Sequence, residues 1–298
     1  MGEPLKDTVR WTLQTRPRLD EAEIAQVRAL TALCNRHDGL NLKINWELLA
    51  TRDGDRPNDF LGYAGDELIV YAALDGFGHA YETTGMVHPA WRRRGVFRRL
   101  FEAVLDEART RRATDWLLVC ERTSATGQAW VRRRGATYRF SEFHMELDAE
   151  PSLSLPPVEP GFRLELAGPA ELDVLVDIDA QAFGDSLEQT RRRMQRDFAE
   201  PGSRTFLARM NGESVGKVGV VPDGAAHYLR GVAVRLGQRG RGYGRQILSA
   251  AVQMLMAEGA RRFSLDVEAQ NDNALRLYQS CGFRATNNYD YFAMDVGV

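Results

Sequence analysis

Apolar residues follow two rhythms along the second half of this chain. An alternating, β-branched rhythm predicts strands at Phe162 to Leu166, Thr205 to Arg209, Ser214 to Val221, His227 to Val234 and Arg262 to Glu268. A three-to-four-residue rhythm predicts helices. One, from about Pro169, carries Leu172, Leu175, Val176 and Ile178, and another runs to about Gly259 with Ile247, Leu248, Ala251, Val252 and Leu255 on one face. An arginine-rich helix around Arg191 to Phe198 lies between them, a short helix opens at Asn271, and a last strand is predicted near Tyr291 to Met294. Asn211-Gly212, set between two of the strands, is a hairpin turn signal.

The most informative junction follows the strand His227 to Val234. Arg239-Gly240-Arg241-Gly242-Tyr243-Gly244 leads into a helix that begins with Arg245 nearby. Glycines there let successive backbone N–H groups point at one anion, while the helix adds the positive end of its dipole. A Walker loop would need Gly-Lys-Ser/Thr, and no Lys or hydroxyl residue follows Gly244. A dinucleotide fold would need Gly-x-Gly-x-x-Gly, whereas the spacing here is Gly-x-Gly-x-Gly. The remaining reading is a diphosphate cradle of another kind.

The same junction occurs twice. Gly85-Met-Val87 leads through Arg92-Arg-Arg-Gly95-Val-Phe97-Arg98 into a helix, and Gly95 and Gly242 stand 147 residues apart. Without any gap, that offset also pairs Gly65 with Gly212, Val87 with Val234, Arg92 with Arg239, Glu121 with Glu268 and Gly135 with Gly282. A period this long is a duplicated domain, because solenoid repeats recur every ~20 to 50 residues. The expected organisation is a first domain over 1–150, a linker over 151–160 rich in proline (Pro151, Pro156, Pro157, Pro160), and a second domain over 161–298.

Composition narrows the class. With 44% hydrophobic and 27% charged residues, the chain has material for two cores. Cys34, Cys120 and Cys281 are odd in number and lack Cys-x-x-Cys spacing, so neither a disulfide framework nor a zinc site is expected, and no metal is called for. The start of the chain lacks an apolar leader and no run of about 18 apolar residues occurs, so a cytoplasmic protein is expected. A net charge of −2 weighs against bulk nucleic-acid binding despite three arginine triplets. Those at 132–134 and 191–193 read as exposed helix faces, while Arg92 to Arg94 sit where a phosphate could lie. Oligomeric state is not legible.

Two segments together resemble the GCN5-related N-acetyltransferase (GNAT) family. Arg239-Gly-Arg-Gly242-Tyr-Gly244 after Val232-Ala233-Val234 matches its Gln/Arg-x-x-Gly-x-Gly/Ala signature, and Asn271, Ala274, Leu277, Tyr278, Gly282 and Phe283 match its Asn-x-x-Ala-x-x-Leu-Tyr-x-x-x-Gly-Phe pattern. The resemblance implies an α/β (α+β) fold of two tandem GNAT-like domains, each a mixed, mostly antiparallel sheet flanked by helices. It implies acetyl-coenzyme A as co-substrate and, as acceptor, a small-molecule, protein or peptide amine that attacks the thioester directly. The cofactor would lie on Val232, Ala233, Val234, Arg239, Gly240, Arg241, Gly242, Tyr243, Gly244, Arg245, Asn271 and Tyr278, with Tyr278 as the acid that protonates the leaving thiolate. Some members carry a Glu base where this chain has Tyr228, so Glu268 and His227 are the substitute candidates, with a water relay as a third route. In the first copy Arg93 stands at the Gly240 position, Phe97 at Gly244, Ser124 at Asn271 and Val131 at Tyr278, so chemistry is expected only in the second. The competing reading is a non-catalytic acyl-coenzyme A binding or sensor protein.

Overall fold

The computed structural model describes residues 10–52, 55–77, 80–150, 153–223 and 226–297. In chain order the elements are β1 (Thr12–Arg16), α1 (Glu21–Asp38), α2 (Trp46–Thr51), β2 (Asp59–Ala64), β3 (Glu67–Phe77), β4 (Ala80–Val87), α3 (Val96–Thr110), β5 (Asp115–Glu121), α4 (Ala125–Arg133) and β6 (Thr137–Asp148). The second repeat contributes β7 (Phe162–Leu166), α5 (Leu172–Phe183), α6 (Leu187–Ala199), β8 (Arg204–Met210), β9 (Glu213–Asp223), β10 (Ala226–Val234), α7 (Tyr243–Ala257), β11 (Arg262–Glu268), α8 (Asp272–Ser280) and β12 (Arg284–Ala293). The last strand starts well before the predicted Tyr291, because the chain turns at Gly282, with φ 92°, and becomes extended at once.

The residues form two compact units, one of 1–141 with 288–298 and one of 142–287. In the first, the strands run β1-β2-β3-β4-β5-β12, and in the second β7-β8-β9-β10-β11-β6. All the ladders recorded in each are antiparallel except one, β4 with β5 in the first and β10 with β11 in the second. The repeats thus trade their final strands. Residues 142–148 of β6 pair along β11, from Glu268 opposite Glu142 to Arg262 opposite Asp148, while Tyr289 to Ala293 of β12 pair along β5. Burial follows the same exchange, with Met145 and Leu147 in the second unit's core and Phe292 and Val296 in the first.

Each sheet buries both faces. In the second unit, α7 and α8 cover one face, packing Ile247, Val252 and Tyr278 with Phe263 of β11, and α5 and α6 cover the other, packing Leu175, Ile178 and Met194 with Leu207 of β8. In the first unit, Leu100, Phe101 and Trp116 fill one side, and Leu30, Leu49 and Tyr71 the other. Local signals support these helices. Asp20 and Glu23 form a capping box at α1, which ends at Gly39 in the left-handed conformation.

The apolar layer beneath α1 and α2 also holds charge. Arg52 lies against Asp59 at 2.7 Å and against Asp75. Asp59 accepts the Tyr71 hydroxyl at 2.6 Å and Asp75 accepts the Asn45 amide at 3.0 Å. Burial pushes the Asp59 carboxyl up to about 6 in spite of Arg52 and the Tyr71 hydroxyl, and raises Asp75 as well. No helix among the described residues is long and apolar enough to cross a membrane.

Candidate active site

Strands β10 and β11 pair only at their beginnings, His227 with Phe263 and Tyr228 with Ser264. Beyond that point β10 leaves the ladder with β11, opening a fork whose β10 side carries Val232, Ala233 and Val234. On its other edge β10 pairs with β9 and slips register between Arg230 and Ala233. The slip is a bulge containing Gly231, at φ 55°, and Val232. A Cβ on residue 231 would come within 2.7 Å of Lys217 Nζ, so glycine is demanded by both backbone and space. Lys217 is buried on β9, 2.5 Å from Asp179 of α5, and burial lowers its pKa. Arg193 grips the other Asp179 oxygen at 2.6 Å and Asp185 at 2.7 Å. The expectation that Arg191 to Arg193 form a plain solvated face therefore fails at Arg193, whose turn of α6 faces a buried carboxylate.

At the end of β10 the glycine-rich turn takes the expected shape. Gly240 and Gly242 have φ of 78° and 82°, a Cβ at either position would meet nothing within 4 Å, and no side chain caps the first turn of α7. Open space, left-handed backbone and an uncapped helix start fit a diphosphate. Arg239, Arg241 and Arg245 are exposed, and none makes an ion pair among the described residues. Arg239 instead donates Nε to the Val234 carbonyl at 3.2 Å, which ties the turn to the strand.

Helix α8 brings Asn271 and Tyr278 to the same unit. Asn271 Oδ1 accepts from the Ala274 N–H at 3.1 Å and so caps the helix. Tyr278 is 8% exposed among Val267, Phe283 and Cys281, and burial alone raises its phenol to about 12. It stays protonated at every ordinary pH. The substitute base candidates are divided between faces. His227 lies beside Phe263 on the α7 side, with ring centroids 6.3 Å apart and its buried Nδ1 lacking a hydrogen bond. Glu268 is exposed at the end of β11, opposite Glu142, and shares its face with Asp266. Two further residues on this face, Asp266 and His144, are not among the sequence candidates. His144 Nδ1 meets Asp266 Oδ1 at 2.7 Å, and the Tyr228 hydroxyl donates to Asp266 Oδ2 at 3.2 Å. Alternation along β11 puts Asp266 on the face of Glu268, but nothing in the sequence marks β6 as its neighbour.

The first unit keeps the turn and loses what surrounds it. Arg93 and Gly95, with φ of 62° and 77°, reproduce the backbone of Gly240 and Gly242. Arg92, however, is held in a bidentate pair by Asp38 at 2.6 and 2.7 Å, so its charge is already neutralised. Phe97 lies over Gly85, where an added Cβ would meet its ring at 2.7 Å, and stacks edge-on against Trp130 with centroids 4.7 Å apart. In the second unit the equivalent Gly244 leaves only Leu277 nearby, 2.9 Å from a notional Cβ. The pairing of β3 with β4 runs from Val70 and Val87 to Phe77 and Ala80 with no slip, so β4 has no counterpart of the Gly231 bulge.

Comparison with known proteins agrees with this architecture. The Acetyltransferase (GNAT) family model matches residues 27–136 and again 172–283. The chain belongs to the GNAT acetyltransferase family. It is an acetyl-coenzyme A-dependent enzyme built from two tandem GNAT domains. A mycothiol acetyltransferase of Thermobispora bispora is 30% identical, the match covering 93% of this chain and 96% of that protein, and one of Thermomonospora curvata is 30% identical over 89% and 91%. Among solved structures, a GCN5-related N-acetyltransferase from Sphaerobacter thermophilus superposes with a TM-score of 0.78 at 19% identity, covering 97% and 96% of the two chains. A tandem GNAT protein from the clavulanic acid biosynthesis pathway gives 0.74 at 15% identity, covering 97% and 99%, so both share the fold. No group of three or more His, Cys, Asp or Glu able to hold a metal occurs among the described residues.

Proposed function

We propose that this enzyme transfers the acetyl group of acetyl-coenzyme A to a primary amine of a small molecule, by direct attack in a ternary complex, at one centre in the second unit. The contrast between the two copies of the turn carries this reading. One copy stands open, with three exposed arginines, a bulged strand and Gly244, and in the other Phe97 fills the space over the strand and Asp38 takes up Arg92, the counterpart of Arg239. The turn from Arg239 to Arg245 binds the diphosphate, and the open edge at Val232 to Val234 holds the pantetheine amides as an added strand would. The bulge directs a backbone N–H at the thioester oxygen, and Tyr278 donates its proton to the departing sulfur. Asn271, beyond capping its helix, borders the same arm. The relatives named for mycothiol make its amine precursor the first acceptor to test.

Titration calorimetry should give one acetyl-coenzyme A per chain, and Gly244→Phe, which copies the first unit, should abolish it. A panel of amines, read by release of free thiol, then finds the acceptor. Two equivalents bound, or binding that survives Gly244→Phe, would remove the second unit as the only centre. Binding without thiol release from any amine would instead support an acyl-coenzyme A sensor.

A further inference from the structure

Tyr228 leaves the fork without a carboxylate on β10, yet the amine that attacks a thioester must first lose a proton. The second unit supplies another group for that task. His144 of β6 faces Asp266 of β11 in register, and Asp266 lies two residues past the last β10–β11 pair, where the fork opens. The imidazole Nδ1 to Asp266 Oδ1 distance is 2.7 Å, and the other Asp266 oxygen accepts from Tyr228. Both partners are largely buried, with side-chain exposures of 19% for His144 and 11% for Asp266. An acidic partner at Nδ1 fixes the proton there and leaves Nε2 as the basic nitrogen. Nε2 lies on the side of Glu146, 3.6 Å from its Oε1, and lines a groove of about 150 Å³ with Glu146, Asp148, Asp223 and Arg262. Three carboxylates against one arginine, itself 3.5 Å from Asp148, favour an ammonium ion.

We infer that His144 is the general base of the acetyl transfer, with Asp266 and Tyr228 as positioning residues and the acidic groove as the approach of the acceptor. This deepens the function proposed above and rests on it. In the step, His144 Nε2 takes one proton from the ammonium, and the freed lone pair forms a C–N bond to the thioester carbon. The nitrogen loses its second proton to water as the C–S bond breaks, and the sulfur takes the proton of Tyr278, which is restored from the imidazolium through solvent. The charged and titratable neighbours of His144 are Asp266 on β11, Tyr228 on β10 and Glu146 on its own strand, with Glu142 and Glu268 at the next level. Their negative charge stabilises the imidazolium formed in the step.

The test compares wild type, His144→Gln and Asp266→Asn in acetyl-coenzyme A binding and in kcat/KM against pH, using the best amine of the panel beginning with the mycothiol precursor. His144→Gln should keep acetyl-coenzyme A affinity, lose about 100-fold in kcat/KM at pH 7, and recover as the pH nears the amine's own pKa. Asp266→Asn should lose about 10-fold with its rate profile displaced along the pH axis. Unchanged rates, or losses that are uniform across pH, would overturn the role of His144 while acetyl transfer stands. A wild type that binds acetyl-coenzyme A but acetylates no amine would overturn the proposed function, and the base with it. Retained cofactor binding reports a folded second unit, and Asp266→Asn provides the second measurement should His144→Gln lose it.

Discussion

Tyr278→Phe is expected to lower kcat about 1,000-fold while leaving acetyl-coenzyme A affinity within about twofold, since the substitution removes a proton donor and little else. The ring packs against Phe283 at 6.3 Å between centroids, and a phenylalanine keeps that contact. Burial holds the phenol at about 12, which is high for an acid serving an ordinary thiol. A thiolate expelled into the same dry slot is raised by the same cause, which eases the transfer. It follows that Tyr278 adds no alkaline break to the wild-type rate profile below about pH 11. Steady-state rates by free-thiol release together with titration calorimetry check both statements. A loss of affinity equal to the loss of rate would make Tyr278 a packing residue.

The second large effect concerns stability. Arg52→Met should destabilise the first unit by about 3 to 5 kcal/mol at neutral pH, because Asp59 and Asp75 would stay buried without their shared cation. Folded Asp59 titrates near 6, above its ordinary 3.8, so the folded state binds the proton more tightly than the unfolded chain. Its contribution is present below about pH 4 and is lost as pH rises through about 6. Removing Arg52 raises both carboxyls further, so the variant should regain much of its deficit near pH 5. All five tryptophans, Trp11, Trp46, Trp91, Trp116 and Trp130, belong to the first unit, so denaturant midpoints followed by tryptophan fluorescence at two pH values report on it selectively. A deficit independent of pH would contradict the account.

The sequence carried the local elements and the glycine turn well, because each is written in contiguous residues. Periodicity located α7 through Ile247 to Leu255, and the glycines expected to bare the backbone at 240 and 242 are left-handed in the structure. The expectation of a silent first copy rested on Phe97, Arg93 and Val131, and the structure adds Asp38, 54 residues away from the arginine it neutralises. Such a partner has no sequence signature. Lys217, Asp179 and Arg193 were invisible for the same reason, since a buried ion pair reads as two ordinary charged positions until the layers are stacked. The offset of 147 residues states that two units share a fold but is silent on which sheet a terminal strand joins. His144 falls in the first repeat by position, and only the exchange of strands sets it beside Asp266.

That exchange bears on how such a chain can change over time. A duplicated gene normally leaves a spare copy that deletion may discard, but here residues 142–148, encoded with the first repeat, close the sheet of the second. Cut within 151–160, the halves should be insoluble when made separately and recover together when co-expressed, as sedimentation and acetyl-coenzyme A binding would reveal. Whatever chemistry the first repeat keeps, it is bound to the second as the lender of a strand.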